Sequence, residues 1–310
     1  MPPLSPDTSR DASVARRATL VTTSVSLGLV LLKTGAGIAT GSVAVLASAV
    51  DSMLDFLVSL FNAFAVRGAE KPRDHDHNYG HGKLEGLAAL LEGALILGSA
   101  AFILREAILK FASPAPIGAQ GLDGALAAMG ISMAASIFLV AYLRRAARRS
   151  RSLVLEADAL HYRTDVWSNA AVLAGMAAIK LTGWTYADPI IACGIAVYIA
   201  WSAIPLVRKS VDMLMDRALP EELVEQIRHI ASTHSERARN VHELRTRRSG
   251  NVNFVEFHLV FDEEISLARA HRTGDEIEAR IRALENTRWS ISIHLDPVDD
   301  SKRDRKLAES

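Results

Sequence analysis

Apolar residues fill the first two-thirds of this chain in long runs, and the polar positions inside those runs are few and periodic. Six runs stand out, from Ala18 to Ile38, Val43 to Val66, Leu84 to Ile108, Leu122 to Leu143, Leu153 to Leu181 and Pro189 to Val207. A helix needs about 20 apolar residues to cross the hydrocarbon core of a bilayer, so the pattern predicts six transmembrane helices, with the fifth interrupted by polar residues. From Pro220 the pattern shortens. Glu221 to Ser232 predicts a helix, Asn240 to Thr246 a strand, and Phe254 to Phe261 a second strand after the turn-like Ser249-Gly250-Asn251. Leu267 to Leu284 has amphipathic helical spacing, and Ser290 to Asp296 alternates as a third strand ended by Pro297. The expected class is therefore an α-helical membrane protein with six transmembrane helices plus a C-terminal α+β domain of order α-β-β-α-β. Its expected divisions are a disordered polar tail over 1–15, a membrane domain over 16–207, a linker over 208–219, the α+β domain over 220–297 and a polar tail over 298–310.

The polar positions within the apolar runs carry the first chemical signal. Asp51 and Asp55 lie four residues apart, on one helix face, and Ser59 and Asn62 continue the stripe. The fifth run carries a second stripe of Asp158, His161, Asp165 and Asn169. A carboxylate at mid-membrane costs about 2.5 to 3.5 kcal/mol, so Asp51, Asp55 and Asp165 together cost on the order of 7 to 10 kcal/mol. Two readings offset that cost. The acids are protonated, hydrogen-bonded or paired with Lys33 and Lys180, although both lysines fall near predicted membrane ends where they can snorkel. Alternatively the stripes face each other and give three carboxylates and one imidazole to a divalent metal such as Zn(II), whose binding free energy in zinc peptides is roughly 10 to 16 kcal/mol. The third run holds Glu85, expected at the membrane interface, and the deeper Glu92, which lines a water-filled entrance or contacts another helix.

Basic residues set the expected topology. Arg10, Arg16 and Arg17 precede the first run, Arg67, Lys71, Arg73 and Lys83 follow the second, Arg144, Arg145, Arg148, Arg149 and Arg151 follow the fourth, and Arg208 and Lys209 follow the sixth. The alternate loops contain no Lys or Arg. By the positive-inside tendency both termini and the α+β domain are expected in the cytoplasm. Thirty-five basic and 35 acidic residues give zero formal charge, which leaves no electrostatic case for nucleic-acid binding. The single cysteine, Cys193, excludes an intrachain disulfide and a thiolate metal cluster. The N-terminal stretch lacks the apolar core of a signal peptide.

Two further groups have metal-ligand chemistry. The loop after the second run reads Arg73-Asp74-His75-Asp76-His77-Asn78-Tyr79-Gly80-His81-Gly82-Lys83, with glycines that let the backbone fold tightly around an ion. In the α+β domain, strand parity places Val255, Phe257, Leu259 and Phe261 on one face and Glu256 and His258 on the other, and puts His294 and Asp296 side by side on a non-core face. His242 and His271 join them if the fold brings them close.

The chain resembles the cation diffusion facilitator family, most closely its bacterial zinc and ferrous-iron efflux members. The resemblance rests on Asp51-X-X-X-Asp55, His161-X-X-X-Asp165, Gly80-His81-Gly82-Lys83, Asp216-Arg217-Ala218-Leu219-Pro220 and His294-Leu295-Asp296-Pro297, in that order. It implies a transport site of Asp51, Asp55, His161 and Asp165 and a loop site of Asp74, His77 and His81. It also implies a binuclear cytoplasmic site of His242, His258, His271, His294 and Asp296, with Asp296 bridging two ions. Further implications are a metallochaperone-like cytoplasmic domain that holds a homodimer, and a Lys83–Asp216 charge pair near the dimer interface. The expected function is a proton-coupled antiporter that exports divalent cations, most of all Zn(II), across a bacterial inner membrane. Fe(II), Cd(II), Co(II) and Mn(II) also suit the ligand set. No phosphate-binding Gly-rich loop ending in Lys and Ser/Thr occurs, and transport needs no covalent intermediate, so no enzymatic activity is expected. The alternative is a membrane-bound metal sensor that signals through its cytoplasmic domain.

Overall fold

The computed structural model describes residues 6–41, 43–112, 122–184, 186–234 and 238–299. Six long helices come first: α1 (Pro6–Thr40), α2 (Val43–Ala69), α3 (Lys83–Ala112), α4 (Leu122–Ser150), α5 (Leu153–Thr182) and α6 (Ala187–Leu214). Arg10–Val211 form one compact unit and Asp212–Ser310 belong to a second. Five of the six helices are long and apolar enough to span a membrane, and α5 is the exception. Its charged residues Glu156, Asp158, Arg163 and Asp165 lower its apolarity, and its first turns are packed inside protein. Val154, Leu155, Ala157 and Asp158 have no exposed surface, so protein rather than lipid covers Asp158, as the cost of bare charge in hydrocarbon requires.

The outer faces of the other helices are apolar. Leu31, Phe64, Phe102 and Trp201 are 62 to 74% exposed, and a belt of such side chains is stable only when lipid covers it. The protein is thus an integral membrane protein. Inside, Ala18, Val66, Ala88, Leu139, Leu143, Leu155 and Tyr162 form one packed cluster across α1 to α5. Small residues allow this close approach. A Cβ on Gly93 of α3 would lie 2.8 Å from the side chain of Val207 on α6. α5 ends on Gly183, whose positive φ of 67° lets its N–H reach the Ile179 carbonyl.

Two boundaries differ from expectation. Helix α1 begins at Pro6, so much of the stretch expected as a disordered tail extends the first helix, and α6 runs through most of the expected linker to Leu214. The first five residues and 300–310 lie outside the described residues, as does 113–121 in one of the loops read as free of Lys and Arg.

The second unit has the expected order: α7 (Glu221–Thr233), β1 (Ala238–Ser249), β2 (Val252–Phe261), α8 (Leu267–Arg282) and β3 (Arg288–Asp296). The sheet order is β1-β2-β3, with β1 and β2 antiparallel and β2 and β3 parallel. Parallel pairing requires a crossover, which α8 provides. Val255, Phe257, Leu259 and Phe261 pack under Ile227 and Ala231 of α7 and Ala270, Ile277 and Ile281 of α8. Both helices therefore cover one face and leave the other to polar side chains. The register of β1 shifts between His242 and Arg245, which pair with His258 and Glu256. Glu243 adopts a φ of 52° in that bulge, so Leu244 packs on the core while His242 and Arg245 both face away from it.

Candidate metal sites

In the membrane unit the two predicted stripes meet, because α2 and α5 run antiparallel and their polar faces close like a ladder. Asp55 Oδ1 lies 3.2 Å from His161 Nε2, the Ser59 hydroxyl 2.9 Å from the Tyr162 hydroxyl, and Asn62 Nδ2 3.3 Å from Asp158 Oδ1. Asp165, one turn beyond His161, brings Oδ2 to 3.9 Å from the same Nε2. One ligand atom each from Asp55, His161 and Asp165 fall within 4.8 Å of one another. Donors around a tetrahedral zinc with bonds near 2.0 to 2.1 Å stand roughly 3.3 Å apart, so these three side chains fit an ion with small rotamer changes. Asp51 lies one turn earlier on α2, is exposed, and stands outside this group.

Lys33 departs from expectation. It is buried rather than snorkelling, and Nζ donates to Ser52 Oγ at 2.7 Å and to the Ser48 carbonyl at 3.4 Å. Asp55, Asp51 and Asp165 attract it inward. The side chain of Lys180 lies outside the described residues. Glu92 resolves in favour of a helix contact: it is 1% exposed and accepts a hydrogen bond from Asn62 Nδ2 at 3.0 Å. Glu85 Oε2 accepts the backbone N–H of Leu153 at 3.1 Å, at the start of α5.

The loop between α2 and α3 is built by Asp74. Its Oδ1 accepts the backbone N–H groups of His77 at 2.7 Å and Asp76 at 3.1 Å, and the His77 carbonyl accepts from Asp74 and Gly80. Gly80 takes a φ of 83°, open to glycine at no steric cost. The backbone N–H of His77 holds the Asp74 carboxyl below the usual carboxylate range, with His81 adding a smaller pull. His77 Nδ1 and His81 Nε2 each stand 3.4 Å from an Asp74 oxygen. Asp74, His77 and His81 thus form a second three-ligand group, and His75 and Asp76 are not part of it.

The third group lies on the helix-free face of the sheet. His242, His258 and His294 occupy matched positions on β1, β2 and β3, and their ring centroids are 4.9 and 4.5 Å apart. Asp296 is buried beside them. Its Oδ2 lies 2.8 Å from His258 Nδ1 and 3.4 Å from His242 Nε2, and its Oδ1 lies 2.5 Å from His294 Nδ1. One oxygen thus serves two histidines and the other a third, the arrangement a bridging carboxylate needs. His271 does not join them. It is exposed on α8, which packs on the opposite face, and stands 3.9 Å from Asp275.

Sequence comparison agrees with this division. The cation efflux transmembrane domain family matches residues 19–215, and the cation efflux protein cytoplasmic domain family matches 219–298. The chain is 37% identical over 294 residues to the cation-efflux pump FieF of Escherichia fergusonii, covering 94% of this chain and 96% of the relative. It is 37% identical over 282 residues to FieF of Klebsiella pneumoniae, covering 91% and 92%.

Proposed function

We propose a mechanism for this chain, which belongs to the cation diffusion facilitator family of cation-efflux transporters: it is an antiporter that carries Zn(II) out of the cytoplasm in exchange for protons. The observation that carries the reading is the meeting of Asp55, His161 and Asp165 between two helices of the membrane unit. Asp51 completes the set by a small movement of its helix face. Its donors are three carboxylates and one imidazole, a mixture that suits the borderline Zn(II) ion better than harder cations.

Carboxylate and imidazole bind a metal when they have lost their protons, so metal and proton compete for the same lone pairs. A site that opens to the cytoplasm takes up the ion, and a helix rearrangement opens it to the other side, where protonation releases it. The basic loops orient the protein with its α+β domain in the cytoplasm of a bacterial inner membrane. There the loop and sheet sites hold further ions, and the α+β domain holds two copies together as a homodimer.

Purified protein in sealed proteoliposomes tests this against the sensor reading. Zinc is expected to cross the bilayer with protons moving in the opposite direction. Zinc binding without flux would leave the sensor, and flux without proton movement would remove the coupling.

A further inference from the structure

Below the quartet, toward the end of α2 and the start of α5, the ladder closes on a second group of oxygens. Asn62 lies seven residues past Asp55, about 10 Å of helix rise, and Asp158 lies three residues before His161, about 4.5 Å. Asn62, Glu92 and Asp158 are at most 1% exposed. The Asn62 amide donates 3.0 Å to Glu92 Oε2 and 3.3 Å to Asp158 Oδ1, which uses both of its hydrogens. Three buried oxygens then have no hydrogen-bond partner: Asn62 Oδ1, Glu92 Oε1 and Asp158 Oδ2. Among the described residues no Lys or Arg forms an ion pair with either carboxyl group.

We propose that Glu92, Asp158 and Asn62 form a second cation site, distinct from the metal quartet, whose ligand is a proton carried by one of the two carboxyl groups. Two carboxylates in a protein interior on one neutral amide repel each other, and a proton on either of them removes the repulsion. Asn62 fixes their spacing but cannot neutralise them. The other titratable groups near the pair are His161, Asp165 and Tyr162 on α5 and Asp55 on α2. Thr22 is the polar neighbour from α1. The Ser59–Tyr162 hydrogen bond lies between the pair and the quartet. A divalent ion entering the quartet repels a proton held this close. The pair thus gives up its proton on metal binding and regains it on release, adding to the protons the quartet exchanges.

A divalent metal is a poor occupant here. The group contains no imidazole, and only three oxygens are free where such ions take four or more ligands. The proposal rests on the proton-coupled reading, and one experiment separates the two. Full-length protein in nanodiscs, with the loop and sheet ligands replaced, is titrated with zinc by calorimetry in buffers of different ionisation enthalpy. The readout is protons released per ion. Glu92→Gln and Asp158→Asn are expected to bind one zinc ion as the wild type does, with affinity within about threefold, and to release fewer protons. The deficit reaches about one per ion. Zinc-induced infrared difference spectra should lose a protonated-carboxyl band in both variants.

A wild type that releases no protons overturns the coupled reading and this proposal with it. Normal release by the wild type with an unchanged count and unchanged band in both variants overturns this proposal alone. Loss of a bound zinc ion in Glu92→Gln also overturns it, by making the pair a metal site.

Discussion

The membrane site and the sheet site use the same side chains on different backbones. In the sheet, His242, His258 and His294 sit on neighbouring strands tied by backbone hydrogen bonds. Adjacent strands lie about 4.8 Å apart, and the imidazole rings follow that spacing. In the membrane unit, each helix carries its candidate ligands at a four-residue interval, but nothing except side-chain packing sets one helix against the other. The ladder from Asp55 to Asn62 is held by single polar contacts. A sheet keeps its ligands at fixed spacing, whereas two helices can part. Holding an ion suits the first, and opening to alternate sides suits the second.

Removing ligands tests the contrast most sharply. Asp55→Ala or Asp165→Ala is expected to reduce zinc flux in proteoliposomes below detection while leaving inserted, dimeric protein by size-exclusion chromatography. Near wild-type flux would remove that residue from the mechanism.

In the sheet, Phe257→Ala removes a fully buried side chain from the core beneath the histidines. It is expected to cost about 3 to 5 kcal/mol of stability in the α+β unit. Thermal unfolding followed by the Trp289 signal measures it. Because the register carries the ligands, metal binding at the sheet should fall together with stability, while zinc binding at the quartet stays.

His294→Ala with Asp296→Ala takes the carboxylate shared by three histidines. Full-length protein lacking the quartet ligands should lose two bound ions by calorimetry, with unfolding little changed. Unchanged stoichiometry would sink the bridging assignment.

The smallest effect is expected from Asp74→Asn. An amide oxygen still accepts the His77 and Asp76 N–H groups, so the loop keeps its turn, but the charge is gone. Metal affinity at the loop should fall several-fold with flux retained. The depressed Asp74 titration has a consequence of definite sign: the extra stabilisation its charge gives the turn is full above the usual carboxylate range and fades as pH falls through its lowered value.

Much of this was legible in the chain because helical and strand periods are local. The four-residue spacing of Asp51 and Asp55, and of His161 and Asp165, puts them on the polar helix faces that meet in the structure, and strand parity separates His258, His294 and Asp296 from the core. What sequence leaves open is set by tertiary packing. His242 and His271 were equally eligible, and the bulge at Glu243 and the side of the sheet taken by α8 decided between them. Lys33 has the spacing of a snorkelling residue, and its inward turn depends on acids of other helices. Asp158 and Asn62 were visible as stripe members, but their pairing with Glu92 depends on how α2, α3 and α5 align.

Equilibrium zinc binding across pH tests the proposed competition of metal and proton for His161 at the membrane quartet. Full-length protein with the loop and sheet sites disabled should bind zinc more weakly as pH falls through the imidazole range, near roughly 6.5 for a free side chain. His161→Asp keeps four ligands but makes them all carboxylates, so its pH profile should move and its preference for zinc over manganese or cadmium should relax. Superimposable profiles and the same metal order for wild type and His161→Asp would contradict the claim.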